Sequence, residues 1–91
     1  MIKVFFIAKI KNFNKEYYDY SEKVLAKAKS MPGFIDIITE EKDDVEITIS
    51  SWKTWEDIDA WKKDPLHIEV KTKVKEWYYW VKGIHVETKN G

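Results

Sequence analysis

The sequence predicts an α+β fold of ferredoxin-like βαββαβ order, with one antiparallel sheet and a broken second helical region. Three observations carry that prediction. Apolar residues alternate with period two in four segments, they recur at helical spacing in two regions between those segments, and Pro, Gly and Asp fall at the joints. A length of 91 residues leaves room for one domain. It is expected to span residues 1–88, with 89–91 as a C-terminal tail.

Residues 2–11 read as the first strand, with Val4, Phe6, Ala8 and Ile10 on one face and Phe5 and Ile7 on the other. Asn14 is placed to N-cap a helix over about 15–30, with Phe13 and Tyr18 at the hydrophobic-staple positions. Tyr17, Ser21, Val24, Leu25 and Ala28 form one face of that helix. Met31-Pro32-Gly33 ends it, because Pro cannot continue a helix and Gly supplies the turn. Residues 34–40 and 45–52 then alternate as a hairpin around Lys42-Asp43-Asp44, with Ile35 and Ile37 set against Phe34 and Ile38.

Thr54 begins a short helix with Asp57 at its third position and Ile58 and Trp61 on one side. Asp64-Pro65 begins another, Asp as N-cap and Pro at the first helical position. Leu66, Val70, Val74, Trp77 and Tyr78 follow it at helical spacing. A last strand is expected over about 79–88. Helices cover one face of such a sheet only. Apolar residues on both faces of strand 1 therefore predict a second copy packed against the open face, a homodimer through the sheet. The acidic hairpin, set against basic segments before and after it, is either a solvated tip or a partner for those segments across subunits.

Composition excludes several function classes. Sixteen lysines balance sixteen acidic residues, so no net positive charge marks a nucleic-acid partner. Cysteine is absent, which removes disulfides, thiol nucleophiles and Cys-based metal sites. The apolar runs are too short to cross a membrane. Met1 opens directly on a strand-like segment, which predicts no signal peptide and a cytoplasmic protein. Arginine is also absent, so no guanidinium fork can clamp a carboxylate or phosphate. Gly33, Gly83 and Gly91 are too scattered to cradle a phosphate. His67-x-Glu69 lacks metal-ligand helical spacing, and no metal site is expected. Aromatic residues make up 15% of the chain, more than a core this small needs, which points to a ring-lined pocket or interface.

Ser51-Trp52-Lys53, Glu56-Asp57-Ile58-Asp59-Ala60-Trp61-Lys62, Pro65-x-His67 and Trp77-Tyr78 occur in that order, after Met31-Pro32-Gly33-Phe34. Together they resemble the antibiotic biosynthesis monooxygenase family, over essentially the whole chain. The resemblance implies a dimeric α+β barrel. It also implies one of several activities, since that family includes cofactor-independent monooxygenases, haem-degrading enzymes and members without assigned function. The haem-degrading pattern has an Asn on strand 1, a Trp on the helix and a His about ten residues later. Trp61 can take the Trp position, but Ala8 and Lys71 stand at the other two. Haem turnover is therefore not expected.

An oxygenase without metal or flavin must draw its electrons from the substrate. A deprotonated phenol- or quinol-like molecule can supply them to dioxygen, given a dry aromatic pocket, a proton acceptor and hydrogen-bond donors. The candidates are His67 as the catalytic acceptor and Trp52, Trp61, Trp77 and Tyr78 as substrate-binding walls, with no cofactor. His67 sits at the third position of its helix, where the dipole disfavours an imidazolium. Packing at the helix start is the competing role for His67, and core packing for Trp61. The function expected is a monooxygenase or oxidoreductase on a small aromatic substrate. The alternative is a non-catalytic dimer that holds a small ligand or haem, and a third is a dimer whose rings are all core and interface.

Overall fold

The sheet is built around its first strand. β1 (Ile2–Ile10) pairs antiparallel with β3 (Val45–Trp52) on one side and with β4 (Tyr78–Glu87) on the other. β2 (Phe34–Lys42) pairs antiparallel with β3 and completes the order β2-β3-β1-β4. This computed structural model describes residues 1–88, and the expected tail at 89–91 lies outside the described residues. The observed order is the ferredoxin-like βαββαβ arrangement that the sequence predicts. Met1 and Thr88 extend the β1–β4 ladder by one pair, Thr88 N–H donating to the Met1 carbonyl at 2.9 Å.

Local chemistry explains the joints. The Asn14 side chain accepts the Tyr17 N–H at 3.0 Å and starts α1 (Lys15–Ser30). Phe13 stacks on Tyr17 with centroids 3.6 Å apart, whereas the expected staple partner Tyr18 stands edge-on at 6.1 Å. Gly33 adopts a φ of 79°, and a Cβ there would run into the Asp57 carboxylate. The β2–β3 hairpin turns on Asp43 and Asp44, at φ of 53° and 63°. Two left-handed residues make the turn type that matches strand twist, and Asp tolerates that conformation.

One expectation about the strands is corrected. A register shift between Phe34 and Asp36 sets Ile35 aside, so Phe34 and Ile37 share the helix-covered face while Ile38 turns to the open one. In β3 the polar alternates face the helices. Glu46, Thr48, Ser50 and Trp52 lie under the helices, and Ile47 and Ile49 lie on the open face. A one-sided sheet ordinarily turns its apolar side to the helices.

The second helical region is broken twice. α2 (Trp55–Lys62) starts on the Thr54 cap, and α3 (Pro65–Lys71) on Asp64, which accepts the Leu66 N–H at 2.9 Å. The single helix expected from Asp64 to Tyr78 does not form. Thr72 donates both its N–H and its hydroxyl to the Glu69 carbonyl, at 3.1 and 2.6 Å, and closes α3 early. α4 (Val74–Trp77) is a single turn, and Tyr78 is already extended as the first residue of β4. Among the described residues no helix is long and apolar enough to cross a membrane.

The helix side of the sheet carries two packed clusters. Ile2, Trp52 and Ile58 form one, joined by Val4 and Trp61; Ala8, Trp77 and Tyr78 form the other, joined by Phe6, Tyr17, Val70 and Val74. On the uncovered side Ile38, Ile47, Trp80, Ile84 and Val86 all remain exposed.

Candidate functional site

The two clusters sit at opposite ends of β1's covered face, and a cavity of about 480 Å³ lies between them. That volume falls in the range of small-molecule sites, about 300–1,000 Å³. Val4 and Phe6 contribute its floor from β1, Val24 and Leu25 its wall from α1, and Ile58, Trp61, His67 and Val70 its roof from α2 and α3. The aromatic excess of the sequence is thus partly spent on a lining.

At one end Trp52 is fully buried beneath Trp61, the two rings stacked at 6.1 Å and 23°. The Trp52 indole N–H donates to Ser50 Oγ at 3.0 Å. His67 lies with its ring centroid 5.0 Å from that of Trp61. Its Nδ1 is buried and has no hydrogen-bond partner in the protein. Burial holds the imidazole pKa below its ordinary value of 6.5, Lys71 adds to the depression, and the Lys62 backbone and Asp64 partly oppose it. The ring is therefore neutral at pH 7. The main cause of that neutrality is loss of water rather than the helix dipole that the sequence position suggests.

At the other end a carboxyl group is buried among phenols. Glu46 Oε1 accepts the Tyr17 hydroxyl at 2.7 Å and the Tyr78 hydroxyl at 3.0 Å, and Oε2 accepts Thr48 Oγ1 at 3.3 Å. Three hydroxyls donating into one group is the pattern an acceptor-only carboxylate satisfies. Thr48 is in turn hydrogen-bonded to Thr39. Burial, reinforced by Glu46, pushes both phenol pKa values well above the usual tyrosine value, so the two hydroxyls stay protonated and donate. Trp77 packs edge-on to Tyr17 at 5.4 Å, is almost wholly buried, and keeps its indole N–H without a partner.

No protein-family model and no curated protein matches the chain in sequence. Solved structures do match in shape. A conserved protein from Methanosarcina mazei Go1 superposes with a TM-score of 0.85, covering 97% of this chain and 92% of its own at 14% identity. A Nitrosomonas europaea protein, provisionally assigned as an antibiotic biosynthesis monooxygenase, gives 0.80 over 97% and 98% at 19% identity. SnoaB, a cofactor-independent oxygenase from Streptomyces nogalater, gives 0.82 over 99% and 94% at 12% identity. The fold is that of the antibiotic biosynthesis monooxygenases.

Within this antibiotic biosynthesis monooxygenase-like fold, Trp52, Trp61, His67, Trp77 and Tyr78 all line the one cavity. They divide between its ends, Trp52, Trp61 and His67 at one and Trp77 and Tyr78 at the other. Of the haem-degrading pattern, Ala8 is fully buried and Lys71 borders the cavity. Sequence reasoning missed Glu46 and its phenol partner Tyr17. The signal was present in the polar row Glu46, Thr48, Ser50, which reads as a solvated strand face until the sheet's covered side is known.

Proposed function

We propose that this protein is a cofactor-independent oxidoreductase of the monooxygenase type, acting on a small aromatic, phenol- or quinol-like substrate in the cavity between the two clusters. One observation carries the reading: a neutral imidazole with a buried, unpartnered Nδ1, set beside Trp61 in an aromatic cavity. His67 accepts the phenolic proton. The phenolate then has an electron-rich ring carbon para to its oxygen. Dioxygen adds there and a C–O bond forms; the O–O bond and the C–H bond of that same carbon then break. One oxygen stays as the new carbonyl, the other leaves as water with the C–H proton and the proton returned by His67, and the substrate supplies all the electrons. The apolar walls exclude bulk water from the phenolate. The fold shared with a cofactor-independent oxygenase supports the general kind of reaction.

The test is oxygen uptake with 1-naphthol, with the quinone product read by absorbance. The expected result is turnover that falls by about 10²–10⁴-fold in His67→Ala, the usual scale of general-base catalysis. It should also fall as pH drops through the imidazole pKa. Saturable binding without oxygen uptake would overturn catalysis and assign the cavity to the ligand-holding alternative.

We further propose that the open sheet face is a homodimer interface. Four strands of about nine residues present roughly 19 by 30 Å, or about 570 Å² before corrugation. That approaches the roughly 800 Å² per partner of a standard stable interface.

A further inference from the structure

The proposed chemistry uses His67 and leaves the opposite end of the cavity unexplained. That end is chemically specific. Glu46 Oε1 is saturated by the Tyr17 and Tyr78 hydroxyls, whereas Oε2 receives only the longer Thr48 contact and keeps acceptor capacity. Independently, the Trp77 indole N–H is buried with no partner, and the Trp77 side chain borders the same cavity. Tyr17 touches both groups, hydrogen-bonded to one and packed against the other. A free acceptor and a free donor at one end of an apolar cavity are costly to leave unmade.

We propose that Glu46 and Trp77 form a second anchor that recognises a ligand hydroxyl, the ligand O–H donating to Glu46 Oε2 and its oxygen accepting from the Trp77 indole N–H. A hydroxyl is the simple group that does both. An ether or carbonyl only accepts, an ammonium only donates, and a carboxylate meets Glu46 with like charge. The pocket therefore selects hydroxylated, uncharged aromatic molecules over their O-alkylated counterparts and over aromatic acids. This deepens the proposed function and rests on reading the cavity as a ligand site. It does not depend on His67 being a base.

The experiment compares 2-naphthol with its methyl ether, 2-methoxynaphthalene, by titration calorimetry. It is run in the His67→Ala background so that the imidazole cannot serve as the acceptor. There 2-naphthol should bind about 10–100-fold tighter than the ether, the scale of one hydrogen bond to a charged acceptor. Glu46→Gln turns Oε2 into a donor and should abolish that preference. Trp77→Phe keeps the ring and should weaken 2-naphthol about 2–10-fold, the scale of a neutral hydrogen bond. It stands as the second variant where Glu46→Gln does not fold. Equal affinity for both probes, a preference unchanged in Glu46→Gln, or a 2-naphthol affinity unchanged in Trp77→Phe overturns the anchor while leaving the ligand site standing. Binding of neither probe overturns the ligand site, and the anchor with it.

Discussion

Removal of the His67 ring separates a residue kept for chemistry from one kept for packing. The substitution His67→Ala has two opposed effects on stability. It deletes the contact with Trp61, an aromatic pair at 5.0 Å, which contributes about 0.5–1.5 kcal/mol. It also deletes a buried nitrogen with no partner, which costs about 1–3 kcal/mol to keep. The two nearly cancel, so the variant should lie within about 1 kcal/mol of the parent at neutral pH. The pH dependence is the sharper signature. The folded imidazole pKa is depressed by burial, whereas in the unfolded chain it is near 6.5. Above both values the ring is neutral in both states and titration has no effect. As pH falls through the unfolded value, the unfolded chain takes up a proton that the folded one refuses, and stability falls. The loss levels off below the folded pKa. His67→Ala removes this contribution, leaving the shallower slope from His85, whose pKa is lowered by burial and by Lys62. Denaturant melts of both proteins at about pH 7.5 and about pH 5.5 read the difference directly. A loss above about 2 kcal/mol at the higher pH would mark His67 as a packing residue. Identical slopes in the two proteins would refute the claim that the ring is buried neutral.

Gly33→Ala should lose at least about 2 kcal/mol in a denaturant melt, from left-handed strain of roughly 1–2 kcal/mol plus the clash with Asp57. A near-neutral outcome would refute the turn geometry. Trp52→Ala should lose about 3–5 kcal/mol because the ring is fully buried, and Trp61→Ala distinctly less, because that ring is only partly buried and borders the cavity. The reverse order in thermal or denaturant unfolding would exchange wall and core. Trp80→Lys should turn a dimer into a monomer by light scattering. Trp80 is 49% exposed, and burying that half-ring contributes about 3 kcal/mol per protomer. An unchanged mass would refute the sheet-face interface.

The fold was legible wherever the controlling chemistry is local. Asn14, Thr54 and Asp64 cap helices because a side-chain oxygen reaches an N–H two or three residues on, a matter of sequence spacing alone. The Asp43-Asp44 turn and the Gly33 joint are equally local. Face assignment is not local. Alternation in β3 tells that two sides differ, but which side meets the helices is set by pairing with β1 and by the bulge at Ile35 in β2. Glu46 stayed hidden for that reason. The aromatic candidates were visible because indole and phenol rings seldom go unburied, whichever face they take. The break between α3 and α4 escaped notice because the apolar spacing runs through it unbroken, while the Thr72 hydroxyl diverts the backbone.

The adjacency of Met1 and Thr88 bears on how the chain is made. Residues 87 positions apart in sequence are hydrogen-bonded neighbours, and β1 lies between a strand near the middle of the chain and the one at its end. Long-range pairings of this kind pay their loop-closure entropy before any contact rewards them, and they fold slowly. During synthesis β1 leaves the ribosome before β3 and β4 and waits longest for its second neighbour. Until β4 arrives, β1 presents an unpaired edge with apolar side chains on both faces, the combination most prone to join a foreign strand. Lys3 and Lys9, on the open face of that same strand, act as gatekeepers against such pairing during the wait.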